Sequence, residues 1–217
     1  MSTFSPTDVV GRALTIYRDH AGALIPAAIA VFAIVAVANL VFDDGLLAAL
    51  AGAIGAIATI FYQGMVVRLV DDVRDGALDS SVGELFRSVA PVALPLFLLA
   101  IVVGISVAIG LVLLIIPGLF LLTIWAVSAP AVVLEGKGVF AALGRSRELV
   151  RGNGWNVFGV IVIVWALMIG VGIVGAAIGA LGGDVLRVLV QWAVNVLVAP
   201  VAALATAVLF FTLRDGR

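Results

Sequence analysis

Residues 91–116 read PVALPLFLLAIVVGISVAIGLVLLII, a run without one charged side chain. A helix rises about 1.5 Å per residue, so about 20 apolar residues cross the hydrocarbon core of a bilayer. The run is long enough to span and too long for an ordinary core strand. It therefore decides the fold class: a membrane-crossing α-helix.

The same test, carried outward, finds five more windows. The spans are read at about Gly22–Phe42, Leu46–Val70, Pro91–Ile116, Gly118–Leu134, Trp155–Leu181 and Val185–Leu213. The chain has 217 residues, of which 64% are apolar and 12% charged, with a mean hydropathy of +1.31. A soluble domain carries about 25% charged residues and needs a hydrated exterior, which this composition cannot supply. We therefore expect one integral membrane domain over residues 1–217, an all-α polytopic bundle of six spans.

Charge placement orients it. Asp43-Asp44-Gly45, Pro117-Gly118 and Gly182-Gly183-Asp184 read as short turns on one side; Asp71–Ala90 and Glu135–Gly154 are longer and charged. Arg12, Arg18, Arg68, Arg74, Arg87, Lys137, Arg145, Arg147, Arg151, Arg214 and Arg217 then fall together, leaving Arg187 alone opposite. Positive charge is retained in the cytoplasm. Both termini are thus expected to be cytoplasmic in a multi-pass protein of the cell membrane. The first span should act as an uncleaved signal anchor, since residues 1–20 lack an apolar block ending in a cleavage site.

An amphipathic stretch precedes each pair of spans. In the first, Ser5, Pro6 and Asp8 suggest a capped start, with Val9, Ala13, Ile16 and Tyr17 on one face and Asp8, Arg12, Thr15 and Asp19 on the other. In the second, Ser81 and Glu84 form a capping box before Val82, Leu85, Phe86 and Val89. The third, about Val139–Arg151, sets Ala142, Leu143, Leu149 and Val150 against Arg147, Glu148 and Arg151, and Gly152 ends it. Gly11-Arg12 and Arg18 align with Gly144-Arg145 and Arg151. The layout reads as a threefold internal repeat of amphipathic helix plus hairpin; convergence of three interfacial helices would give the same layout.

Chemistry is scarce. Without cysteine, disulfides and thiolate sites are excluded. The single histidine, His20, sits at the membrane edge, and neither a metal-ligand cluster nor a phosphate-cradling loop is present. No catalytic residue, cofactor or metal is expected, and a net charge of −1 gives no pull toward nucleic acid. No Asp, Glu, Lys or Arg falls mid-span, which argues against an ion relay. The intramembrane polar candidates are Gln63, Gln191 and Asn195; with Tyr62, Ser106, Thr123 and Ser128 they are expected to bond between helices, or else to line a polar cavity. Small-residue faces at Ala48/Gly52/Ala56 and Gly175/Gly179/Gly183 suit close helix packing, or a homo-oligomer seam. Pro130 and Pro200 should kink their spans. Glu135 is expected to pair with Arg145 or Arg151.

One segment carries a resemblance. Pro117-Gly118-Leu119-Phe120, Trp125, Ala129-Pro130, Glu135-Gly136, Gly144-Arg145-Ser146-Arg147, Arg151-Gly152-Asn153, Trp155 and Phe158-Gly159 resemble the membrane domain that precedes some glycerophosphoryl diester phosphodiesterases, and related uncharacterised bacterial membrane proteins. The resemblance implies a six-helix domain of unassigned role. With no stretch left for the catalytic barrel, phosphodiesterase activity is not expected. The functional readings are a non-catalytic envelope scaffold engaging membrane lipids, including anionic headgroups, and a transporter or lipid-translocating protein. The candidate working surface is the rim formed by Glu135, Arg145, Arg147 and Arg151.

Overall fold

The computed structural model describes residues 4–41, 45–74 and 80–216. The expected turn at Asp43-Asp44, residues 75–79 of the second connection, and Arg217 lie outside them. Among the described residues every regular element is helical: α1 (Pro6–Asp19), α2 (Ala21–Val41), α3 (Gly45–Arg74), α4 (Val82–Val89), α5 (Ala93–Leu113), α6 (Ile115–Ile124), α7 (Ser128–Glu135), α8 (Val139–Val150), α9 (Gly154–Gly179) and α10 (Gly183–Asp215). The protein is a polytopic helical bundle.

Five segments are long and apolar enough to cross a bilayer: Gly52–Arg74, Val82–Leu113, Ile115–Glu135, Gly154–Gly179 and Val185–Asp215. The sixth expected span is α2; together with α1 it passes the same test, the pair being bent by 84°. The helices pack as hairpins, α2 with α3, α5 with α6, and α9 with α10. α10 is the central post, contacting α1, α2, α3, α7 and α8 as well as α9. Its apolar window is 67% buried, against 17% in α9. Its buried half is the last one, from Ala203 to Leu213. That half lies with α1, α8 and the end of α3 that carry arginines, and with α7; we term this the basic end.

The amphipathic helices bury the expected faces. α1 covers Val9, Val10 and Ala13 against α9 and α10, and α8 covers Ala142, Leu143, Leu149 and Val150. Gly152 takes φ +88° and lets the chain leave α8 for α9. Gly159 on α9 receives Pro6 of α1, where a Cβ would lie 2.9 Å from the proline ring. The three units share an order but not a joint. α1 meets α2 at a sharp bend, α4 runs through a 3-10 turn at Ala90–Val92 into α5, and α8 meets α9 across Gly152.

Several local expectations need correction. Ser5 does not cap α1 through its side chain; its Oγ pairs with Thr7 Oγ1 at 2.6 Å, and the Asp8 N–H is met by the Ser5 carbonyl at 3.1 Å. Pro117-Gly118 is not the turn between the third and fourth spans. The chain reverses at Leu114, in extended backbone, and Pro117 lies in the first turn of α6, where its missing N–H costs nothing. Gly118 instead lies against α5: a Cβ on Gly110 would meet the Gly118 Cα at 2.9 Å. The fourth span is not continuous, since α6 ends at Ile124 and α7 begins at Ser128. The interruption falls one turn before Pro130, which has no N–H for the Ala126 carbonyl and whose ring crowds it, so the expected effect of Pro130 is seen there, while Pro200 stays inside α10.

The glycine faces also resolve. Gly175 packs on Val194 and Gly179 on the Arg187 backbone, so this face joins α9 to α10, whereas Gly183, at φ +73°, opens α10. On α3 the close approach is Gly55 to Val35, while Gly52 and Ala56 point away.

Candidate functional site

α7 ends at Gly136, whose left-handed backbone (φ +62°) returns its N–H to the Val132 carbonyl. This turn places Glu135, itself mostly buried, under α8. Arg145 Nε donates to both Glu135 oxygens, at 3.1 and 3.2 Å, and Arg145 Nη1 donates to Glu148 at 3.2 Å. Lys137 Nζ lies 3.5 Å from Glu135. Burial works against the Arg145 charge, but the hydrogen bonds from Glu135 and Glu148 outweigh it and raise its pKa. Of the four rim candidates, the structure brings together Glu135 and Arg145. Arg147 and Arg151 are exposed on the far face of α8.

Sequence reasoning assigned no role to the residue between Arg145 and Arg147. Ser146 is 0% exposed. Its Oγ donates to the Ile124 carbonyl at 2.9 Å and accepts from the Val127 N–H at 3.2 Å. Ile124 is the last residue of α6 and Val127 immediately precedes α7. A break in a spanning helix leaves backbone groups that must be satisfied without water; Ser146 satisfies one of each kind. Arg145 and Ser146 together thus clamp α8 onto the broken span. The only available signal was the Arg-Ser pair within the resembled motif.

Next to this break lies a cavity of about 300 Å³ between α3, α5, α6, α7, α9 and α10. Its polar lining is Gln63, Trp125, Ser128, Trp165 and Thr206; α5 contributes Leu96, Leu99, Ala100 and Val103. Among the described residues, none of its lining side chains carries a charge. At about 1.5 Å per residue, Gln63 lies about 17 Å in from Arg74, and Thr206 about 14 Å in from Asp215. The cavity therefore occupies the half of the bundle nearer the basic end.

Gln191 and Asn195 do not line it. Both are exposed in the first half of α10, with Gln191 Nε2 3.5 Å from Asn195 Oδ1. The hydroxyls expected to bond between helices bond locally: Thr123 to the Leu119 carbonyl at 2.8 Å and Ser128 to the Trp125 carbonyl at 2.7 Å. Tyr62 does cross between helices, its fully buried hydroxyl donating to the Leu24 carbonyl of α2 at 3.1 Å. His20 Nδ1 lies 3.2 Å from the Ile16 carbonyl at the α1–α2 bend. Beside that bend Tyr17 is half-buried; burial raises its pKa, and its hydroxyl finds no partner among the described residues.

The broken span, the uncharged cavity and the apolar exterior define a multi-pass helical membrane protein. No family model matches the chain, and no solved structure matches it. A stretch of 97 residues is 31% identical to a UPF0259 membrane protein from Pectobacterium carotovorum subsp. carotovorum (strain PC1). It covers 45% of this chain and 38% of that relative, whose name gives no catalytic role.

Proposed function

We propose that this protein is a non-catalytic component of the cell membrane that binds phospholipid, with its basic end and both termini in the cytoplasm. The observation that carries the proposal is the 300 Å³ cavity in the basic half of the bundle. Its walls are mostly apolar, its polar groups are neutral, and no acid or base lines it. Such a site suits an acyl chain with the ester region near Gln63, and offers nothing for hydrolysis or ion relay. The proposal includes the resemblance to the membrane domain of glycerophosphoryl diester phosphodiesterases and the likeness to the UPF0259 protein. Within it, Arg145, Ser146 and Gly159 of the shared motif have structural work in this chain.

The break at Trp125–Val127 favours a second reading, lipid translocation, because discontinuous helices line substrate sites in transporters. Reconstituted protein that accelerates the inward loss of a fluorescent phospholipid from the outer leaflet supports that reading; an unchanged rate supports binding alone.

Binding itself is tested with a phospholipid bearing a diazirine on its acyl chain, photolysed in nanodiscs and mapped by peptide mass spectrometry. Adducts should concentrate on the faces of α3, α5 and α9 that line the cavity. Adducts spread evenly over all lipid-facing residues contradict the proposal.

A further inference from the structure

A second cavity, of about 540 Å³, lies between α1, α3 and α10 at the basic end. Arg12 and Arg74 line it together with Asp215, and Ile16, Val70 and Phe211 supply apolar wall. We propose that this cavity binds the phosphate headgroup of a membrane phospholipid, with Arg12 as the principal contact. The inference rests on the lipid-binding reading above and assigns it a second, headgroup-selective site.

Three observations support it. The first is depth. The apolar runs of α3 and α10 end here, at Val70 before Asp71 and at Leu213 before Arg214, so the cavity sits at headgroup level when the bundle spans a bilayer. α1, turned 84° from α2, forms its third wall. The second is charge. Arg74 donates to Asp215 at 2.6 Å and stacks over Phe211, its guanidinium carbon 4.0 Å from the ring centroid. Arg74 is therefore held in place. Among the described residues, Arg12 makes one hydrogen bond, from Nε to the Asp8 carbonyl at 3.4 Å, and this leaves its terminal nitrogens to an incoming acceptor. Asp215 also pairs with Arg214, at 3.3 Å, so Arg12, Arg74 and Arg214 share one carboxylate and leave a positive excess, which a phosphodiester offsets. The arginine fork suits phosphate oxygens. The third is the wall. Ile16, Val70 and Phe211 give nothing to inorganic phosphate but can cover the glycerol and the first methylenes of a lipid.

The test is native mass spectrometry of the detergent-solubilised protein titrated with phosphatidylglycerol, with a diacylglycerol of the same chains, and with inorganic phosphate as competitor. Phosphatidylglycerol should bind at least about tenfold more tightly than diacylglycerol. Arg12→Gln should remove that preference without changing diacylglycerol binding, and Arg12→Lys should restore part of it. Arg12 is exposed and has no side-chain partner among the described residues, so neither variant threatens the fold. Equal binding of the two lipids, or an Arg12→Gln variant with unchanged preference, overturns the proposal. Displacement of phosphatidylglycerol by millimolar phosphate overturns the lipid assignment in favour of a soluble-phosphate site. Diazirine adducts that persist in the α3–α5–α9 cavity while the headgroup preference fails confine the failure to this second site.

Discussion

Ser146 has no charge, yet it joins three elements. Its hydroxyl, on α8, meets backbone at the break between α6 and α7. Ser146→Ala strands an acceptor and a donor in a buried setting, at a cost of about 1–3 kcal/mol. Thermal unfolding in detergent should show a lower midpoint; an unchanged midpoint would mean water satisfies the break instead. Beside it, Glu135→Gln removes the carboxylate that receives Arg145, so amide exchange along α8 should quicken while that of α10 stays put. At Ser81 the capping box is complete: Glu84 accepts from the Ser81 N–H at 2.8 Å and Ser81 Oγ accepts from the Glu84 N–H at 3.3 Å. The Ser81 hydrogen bonds hold the Glu84 carboxyl below its ordinary pKa. A depressed carboxyl stabilises the fold above its unfolded pKa and loses that contribution as pH falls through the folded value. Exchange at the start of α4 should therefore rise on acidification below the usual carboxylate range, and Glu84→Gln should flatten that dependence.

At the scale of elements, glycines separate real contacts from open lipid-facing surface. A Cβ on Gly118 would come within 2.7 Å of the Leu111 backbone nitrogen, whereas one on Gly104 meets nothing within 4 Å. Gly118→Ala should open the α5–α6 hairpin and destabilise by about 1–3 kcal/mol through overpacking. Gly104→Ala should be neutral or stabilising by about 1 kcal/mol, from helix propensity. Equilibrium unfolding of the two variants side by side checks the hairpin, and equal effects would contradict it. The amphipathic faces were legible in the sequence because each depends on neighbours three or four residues away, as do Ser81 and Glu84. The break at Trp125–Val127 was legible only in part. Pro130 pointed to a disturbance one turn upstream, but not to its extent or to the serine that holds it, 19 residues beyond Val127. Pro117 misled because it lies in a first turn, where proline fits a helix rather than ending it.

For the whole molecule, apolar composition pointed to six spans, of which five stand alone and the sixth needs the bent α1–α2 pair, but not to which one is central. Lipid and protein interior ask for the same side chains, so α9 and α10 read alike until packing distinguishes them. Likewise Gln63, Gln191 and Asn195 look equivalent as neutral amides in apolar runs, and only the bundle's geometry sets Gln63 on the cavity and the other two outside. The topology can be checked cleanly because the chain has no cysteine. A single cysteine at Arg147 should react with an impermeant maleimide only from the cytoplasmic side, and one at Leu181 only from the other; the reverse pattern would invert the protein in the membrane.

The most direct test of lipid binding is the phospholipid content of gently extracted protein. Ala100 is exposed on α5 and lines the uncharged cavity, so Ala100→Phe should fill the space without disturbing the core. Wild-type protein should carry phospholipid through purification, and the Ala100→Phe variant should carry measurably less. Wild-type protein free of phospholipid, or equal retention by both, would contradict the account.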